Sequence, residues 1–311
     1  MGTHAPAVWI GFSALVAVLL FVDLFVLNRK SHVLTMREAS LWSGTLVVLA
    51  FAFAGFLWWT EDFTKALEFT TGYLVELSLS VDNLFVFILL FQYFAVPADA
   101  QPKVLKWGII GALVMRAVMI AVGAIMLARF HWIIYVFGGI LVLTGLRMLM
   151  QQEERVEPEK NPLVRLARKF LSFSPAYDGD RFVTISGTGR RFLTPLVLVL
   201  IVVEWTDLVF AIDSIPAVFA VTRDPFLVYS SNVFAIIGLR ALFFLLAGAL
   251  DSFRYLKPGV ATILVFVGVK MAISAWLKIP TVVSLGVIVG CLAVAVVASQ
   301  LANRREAKAA A

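Results

Sequence analysis

The sequence predicts an all-α fold: a polytopic transmembrane helical bundle of nine spans that contains an inverted repeat of three helices plus three. Three observations predict it. The chain is 61% hydrophobic and 15% charged, with a mean hydropathy of +0.94, where a soluble domain runs near half apolar and a quarter charged. Its bases gather at the ends of apolar runs. The polar residues inside those runs recur in the same order in two separate parts of the chain.

A helix needs ~20 apolar residues to cross a bilayer, and nine runs qualify: residues 6–27, 39–59, 66–95, 104–128, 131–150, 193–220, 226–249, 258–276 and 281–300. The first has no basic region before it and is followed at once by Arg29 and Lys30, the reverse of a secretory signal. It is expected to anchor the chain with its N-terminus outside. Alternating from there, 19 of the 26 bases fall in cytoplasmic segments, while Lys65, Arg129, Arg223 and Lys278 fall outside and Arg116, Arg240 and Lys270 lie within spans. That asymmetry favours nine spans with the C-terminus cytoplasmic. It also explains the net charge of +6 without a nucleic-acid partner.

Five segments follow: two N-terminal helices (1–65), a three-helix unit (66–150), a cytoplasmic connection (151–191), a second three-helix unit (192–277), and a last helix with its tail (278–311). In the connection, NPLVRLARKFL sets Leu163, Leu166, Phe170 and Leu171 near one helical face, with Arg165, Arg168 and Lys169 elsewhere. Such a helix suits either an anionic lipid surface or the underside of the bundle. YDGDRFVTISGTGRRF combines β-branched residues with Gly187 and Gly189, a hairpin pattern. Asp178 and Asp180 open like a calcium loop, but the remaining ligand positions are absent.

The two units align. ILVLTGLRM at Ile140–Met148 matches ILVFVGVKM at Ile263–Met271, and the MRA at Arg116 matches the LRA at Arg240. Glu76 with Asp82 and Asn83 matches Asp207 with Asp213 and Ser214 at identical spacing. Units of three spans cross in opposite senses, the inverted repeat of many secondary transporters, whose substrates bind near the midplane between repeats.

ELSLSVDNLFVF (Glu76–Phe87) and EWTDLVFAIDSIPAVF (Glu204–Phe219) carry five intramembrane carboxylates: Glu76, Asp82, Glu204, Asp207 and Asp213. Uncompensated, they would cost on the order of 15 kcal/mol. The three intramembrane bases Arg116, Arg240 and Lys270 leave a formal charge of minus two, which one divalent cation would neutralise. Arg116 and Arg240 are expected to orient the acids, and Lys270 to serve as a movable counter-ion. Asp23 is expected to pair with nearby bases.

On a straight helix Glu76 and Asp82 lie about 120 degrees apart, as do Asp207 and Asp213. Pro216 is therefore expected to kink or unwind its helix beside Asp213, freeing a carbonyl as an oxygen ligand. The remaining donors, Asn83, Ser78, Ser80, Thr206 and Ser214, are oxygen donors too, a set suited to manganese, magnesium or calcium. The three histidines, His4, His32 and His131, fall near span ends, and Cys291 is the single cysteine, so neither a thiolate metal site nor a prosthetic group is expected.

Other readings weighed are a purely structural one, in which the acids pair with the three bases to fix packing, a membrane stress-complex or assembly scaffold, and an intramembrane aspartyl hydrolase. The last fits poorly, because neither Asp82 nor Asp213 stands in a GxGD arrangement. The chain is not expected to be an enzyme. Oligomeric state is not fixed by the sequence.

The stretches FTTGYLVELSLSVDNLFVFILLFQYFAVP, WGIIGALVMRA and EWTDLVFAIDSIPAVFAVT closely resemble the TerC family of bacterial integral membrane proteins, within the LysE-like exporters. The similarity runs from NRKSHVLTMREA to the eighth span and holds at all five acids. The resemblance implies that Glu76, Asp82, Glu204, Asp207 and Asp213 form the family's acidic set and that the cargo is manganese, exported outward across a bacterial plasma (inner) membrane; the oxygen donors keep calcium open as a further candidate. Tellurite is an anion, so the tellurium resistance in the family's name fits an acidic site only indirectly.

Overall fold

The structure, a computed structural model, describes residues 6–23, 35–130, 132–150, 162–185, 190–247, 255–274, 276–277 and 279–309, without the side chains of residues 82, 162, 163, 168 and 304–309. All three histidines and residues 24–34, where the first span was expected to end, lie outside that set.

Helix starts are set by short-range chemistry. α1 covers Pro6–Phe21 and α2 Met36–Thr60. At the latter, Thr35 accepts from the Glu38 amide at 3.3 Å while the Glu38 carboxylate accepts from the Thr35 amide at 2.9 Å. This reciprocal cap satisfies donors that the first turn leaves free. α3 (Phe63–Tyr93) starts on Asp62, which accepts from the Lys65 amide at 2.8 Å. α4 (Gln101–Arg129) and α5 (Ile133–Met150) complete the first half.

The connection holds α6 (Pro162–Phe170) and an antiparallel pair, β1 (Val183–Ile185) with β2 (Arg191–Leu193), in register Val183↔Leu193. α6 buries Val164 and Ala167 in the core beside α7 (Pro195–Phe219), and leaves Leu166 and Phe170 exposed at 52% and 73%. The packed face is thus the Val164 face, while Leu166 and Phe170 stay beside exposed Arg165 and Lys169. Lys103 pairs with Asp180 at 3.3 Å, and the Tyr177 hydroxyl donates to the Phe94 carbonyl at 2.6 Å, tying the connection to this end of the bundle. Burial holds the Tyr177 phenol above its ordinary pKa, so it stays a donor.

α8 (Pro225–Ile237) and α9 (Leu239–Ala247) follow, then α10 (Leu256–Ile273) and α11 (Thr281–Ala309). Among the described residues seven helices, α2 to α5, α7, α10 and α11, are long and apolar enough to cross a membrane, and α8 with α9 makes an eighth if a 43° bend is allowed within one span. α1, at 16 residues, is shorter than the other candidates. The expected unbroken helix over 226–249 is therefore corrected to a pair broken at Gly238, a residue type common at sharp kinks. A second correction concerns Pro216. The unwinding expected there is absent: α7 is helical through the proline to Phe219, the Ala220 amide reaches the Pro216 carbonyl at 3.0 Å, and the proline forgoes only its own bond to the Ile212 carbonyl.

α8 forms the centre, with every residue from Phe226 to Ile237 buried except half-buried Tyr229. α1 to α4 pack around it, and an aromatic cluster of Trp9, Phe12, Phe53, Phe69, Phe226 and Phe234 fills one side. Outward, large apolar side chains such as Trp59, Leu143 and Val294 stand exposed at 85%, 70% and 70%, as hydrocarbon contact requires.

The closest helix pair is α5 with α10. A methyl group at Gly145 would lie 2.7 Å from Val265 Cγ2, 2.8 Å from the Ala261 oxygen and 3.0 Å from the Val265 nitrogen. One at Gly268 would lie 2.8 Å from Val142 Cγ2, 2.7 Å from the Gly138 oxygen and 2.8 Å from the Val142 nitrogen. The helices run antiparallel, since rising numbers on one meet falling numbers on the other. Without water to drive association, small residues let such backbones meet.

This contact generates a test. Gly145→Ala should destabilise the protein in detergent by about 1–3 kcal/mol through overpacking against backbone. Gly139→Ala, where a methyl group meets nothing within 4 Å, should be neutral or stabilising by up to about 1 kcal/mol. Thermal unfolding of the two variants checks the sign of each.

Candidate functional site

The polar centre forms where α3, α4, α7 and α8 meet. Arg116, from the middle of α4, is 1% exposed and its Nη1 makes a direct ion pair with Glu76 Oε1 of α3. Its Nη2 donates to Asp207 Oδ1 of α7 at 3.1 Å and its Nε to Oδ2 at 3.4 Å. Nη1 also donates to Ser214 Oγ at 3.2 Å and Asn232 Oδ1 of α8 at 3.3 Å. One guanidinium therefore joins the two acids that the repeat alignment sets in equivalent places. The fork geometry suits two carboxylates at once, which a lysine could not match.

Satisfaction is incomplete. Glu76 Oε2, Ser80 Oγ one turn along the same helix, and Asn232 Nδ2 are buried and have no hydrogen-bond partner among the described residues, although such atoms in native proteins normally have one.

Of the other predicted acids, neither Glu204 nor Asp213 pairs with Arg116 among the described residues, although the charge of Asp207 reaches Glu204. Glu204, one turn before Asp207, is half-buried and its carboxylate sits over Gly111 of α4, where any Cβ would overlap it. Asp213 accepts from Thr144 Oγ1 of α5 at 2.9 Å, so it faces a different neighbour from Asp207, as a helix without unwinding at Pro216 dictates. Asp82 is helical, and its side chain lies outside the described residues. Among the described residues no three His, Cys, Asp or Glu side chains converge as a metal cluster. Asn83 is buried on α3, while the Thr206 and Ser78 hydroxyls donate to the carbonyls of Val202 and Leu74, four residues back.

Two bases are placed differently from the expectation that they serve the five acids. Arg240, just past the α8–α9 break, donates through Nη2 to Asp23 Oδ1 at 2.8 Å and to its carbonyl at 3.0 Å. Asp23 thus has the basic partner expected for it. Lys270 lines a cavity of about 360 Å³ with Glu68, Thr222, Arg223 and Ser274 at the start of α3 and the ends of α7 and α10.

A second cavity, of about 280 Å³, lies at the opposite end of α3, among Ile88, Phe91, Gln92, Gln101 and Phe243. Between it and Arg116 is a void of about 10 Å³ bounded by Leu84, Phe87, Leu105, Ile109 and Asp207, room for about one water. At ~1.5 Å per residue, Glu68 and Ile88 are about 30 Å apart along α3. The acids thus sit between two cavities, screened from one by an apolar plug.

Sequence reasoning did not single out Asn232, Gly111 or Glu68. Asn232 had a signal, an amide in the run SSNVF within an otherwise apolar helix. Glu68 lies early in its helix, where an acid resembles an ordinary solvated residue.

The Integral membrane protein TerC family model matches residues 61–307. An uncharacterized membrane protein of Myxococcus xanthus is 50% identical over 300 residues, covering 96% of this chain and 94% of its own. A protein of Escherichia coli K12 provisionally named membrane-bound redox modulator Alx is 45% identical over 312 residues, covering 97% of each chain. An uncharacterized membrane protein of Rickettsia felis is 38% identical over 291 residues, 94% of this chain and 96% of its own. No solved structure matches the chain. A family match across most of the chain, with full-length relatives at these identities, establishes that this is an integral membrane protein of the TerC family.

Proposed function

We propose that the chain is a secondary transporter that exports a divalent cation, manganese, across the bacterial plasma membrane through the carboxylates around Arg116. The observation that carries this reading is the allocation of bases. With Arg240 on Asp23 and Lys270 in the cavity beside Glu68, Arg116 is the one buried base that meets Glu76 and Asp207 among the described residues, and the field of Arg147 reaches Asp213. The four acids whose side chains are described, taken with these two bases, carry a formal charge of minus two, which one divalent cation would neutralise. Intramembrane acids with so little compensation mark ion or proton pathways.

In this reading the guanidinium is a tethered stand-in for the cargo. A cation passing the Leu84 and Phe87 plug reaches Asp207 and Glu76, takes over their oxygens, and releases Arg116. Ser80, Asn83, Ser214 and Asn232 supply neutral oxygens nearby, with Glu204 one turn from Asp207. Protons can replace the ion when it leaves, because neighbouring acids titrate jointly. The hard oxygen donors suit manganese, magnesium and calcium alike; the choice of manganese and of outward direction rests on the family resemblance.

Two further features support a transporter. The methyl contacts at Gly145 and Gly268 map onto each other atom by atom when Ile140–Met148 is exchanged with Ile263–Met271, as an inverted repeat with antiparallel partners would produce. The basic residues sort to one side if α1 and the bent pair are counted as crossings, which supports an outside N-terminus and nine spans. A thiol redox role, suggested by the name of the Escherichia coli relative, would have only half-buried Cys291, which cannot form a disulfide within the chain.

Purified protein in liposomes should move manganese, with calcium, magnesium and zinc compared side by side. Asp207→Asn should slow manganese flux at least about tenfold, as loss of a charge-bearing oxygen at the site implies. Flux unchanged in Asp207→Asn would end this assignment.

Arg116→Ala should lower stability by about 3–5 kcal/mol, since it leaves two buried acids unpaired. Manganese at about 100 times its dissociation constant should restore about 2.7 kcal/mol, and should stabilise Arg116→Ala more than wild type. Equal stabilisation in thermal unfolding would show that guanidinium and cation do not compete.

A further inference from the structure

The cavity beside Lys270 lies away from the five acids, yet it is built from charged groups. Glu68 Oε2 accepts from Thr222 Oγ1 at 2.6 Å and lies 3.9 Å from Lys65 Nζ, while Oε1 has no partner among the described residues. Lys65 is held by Asp224, whose Oδ2 it reaches at 2.8 Å, and Asp224 itself caps α8 through the Phe226 amide at 3.1 Å. One Glu68 oxygen is therefore fixed by a hydroxyl and the other is free, in a space of about 360 Å³ shared with Lys270, Arg223 and Ser274. Lys270 makes no ion pair among the described residues, and the carboxylate whose field reaches its ammonium is Glu68.

Glu68 also stands in line with the centre. Glu68, Gly72, Glu76 and Ser80 follow each other at four-residue spacing on α3, a row that runs along one side of a helix. Gly72 keeps that row open to α8, since a methyl group there would lie 3.1 Å from Ser231 Oγ. Glu68 is about 12 Å from Glu76 along the axis.

We propose that Glu68 is an outer site for the divalent cation, occupied alternately by the ion and by the Lys270 ammonium. This rests on the export reading above. An ion leaving Glu76 finds a carboxylate with one free oxygen, and the returning ammonium displaces it toward the exterior. The same ammonium, with Arg223, opposes ions arriving from outside, which favours one direction of travel.

The test uses right-side-out membrane vesicles loaded with manganese, with efflux measured against rising external manganese. Lys270→Gln should be inhibited at about tenfold lower external manganese than wild type, because a competing charge is gone. Glu68→Gln should need about tenfold more, and the double variant should follow Glu68→Gln. Lys270→Arg should behave as wild type, and the milder Thr222→Ala should shift in the direction of Glu68→Gln, which guards against misfolding as the cause. Efflux from wild type with no shift in these variants overturns the outer site alone; no manganese efflux from wild type overturns the export reading with it.

Discussion

The fold depends on one guanidinium held in the middle of an apolar bundle. Arg116 on α4 touches α3, α7 and α8 together, so the helices of both halves meet through it. A charge so deep is tolerable only while its partners are in place, because removing one side of a buried pair leaves the other uncompensated. The surrounding helices approach closely enough to keep it there through small residues. Gly108 meets Val203, Gly111 makes room for Glu204, and Gly72 meets Ser231. In hydrocarbon, where apolar surface gives no drive for helices to associate, such close approach is what gives the assembly its definition.

Along α3 the character of the interior changes in three steps. At the hairpin end it is apolar, with Leu84, Phe87 and Phe91 facing Leu105, Ile109 and Phe243. At the centre it is acidic around a single arginine. At the far end it has both signs, with Lys65 on Asp224 and Glu68 beside Lys270. Under the export reading, a hydrated ion would meet its largest barrier at the apolar step and its strongest attraction immediately after, an order that would make the plug the element that moves.

Seven of the nine expected spans, and an eighth if the bent pair is one crossing, were legible in the sequence among the described residues, because hydropathy over ~20 residues depends little on which neighbour each helix meets. The bend at Gly238 was not, since both halves of that span are apolar and glycine is common in membrane helices. Pro216 misled for a related reason: a proline gives up one bond, to the Ile212 carbonyl, and whether the helix unwinds there depends on the packing of its neighbours, which keeps α7 helical to Phe219. At the site, equal spacing in the two halves singled out Glu76 and Asp207 as a pair, and Arg116 contacts both. Which base serves which acid was hidden, because an ion pair across the bundle leaves no periodic trace. Arg240 and Lys270 looked like further partners of the five acids, whereas Asp23 and Glu68, both near helix ends, stand beside them.

Under the proposed repeat, the frame and the centre follow different rules. The contacts of Gly145 and Gly268 exchange into each other, so the α5–α10 pair is nearly two-fold. Arg116 and Arg240 occupy equivalent places in sequence, yet Arg116 holds the acids of both halves while Arg240 holds Asp23. Asp23 follows α1 and belongs to neither half of the repeat. The asymmetry therefore enters from outside the repeat, through a carboxylate that keeps one of two matched arginines away from the centre. A stiff, nearly symmetric frame around an asymmetric polar centre can rest in more than one arrangement, because charge pairs re-form at discrete partners and do not slide continuously. Under the export reading, alternating access would need such a centre, with the acids around Arg116 held either by its guanidinium or by the cation that displaces it.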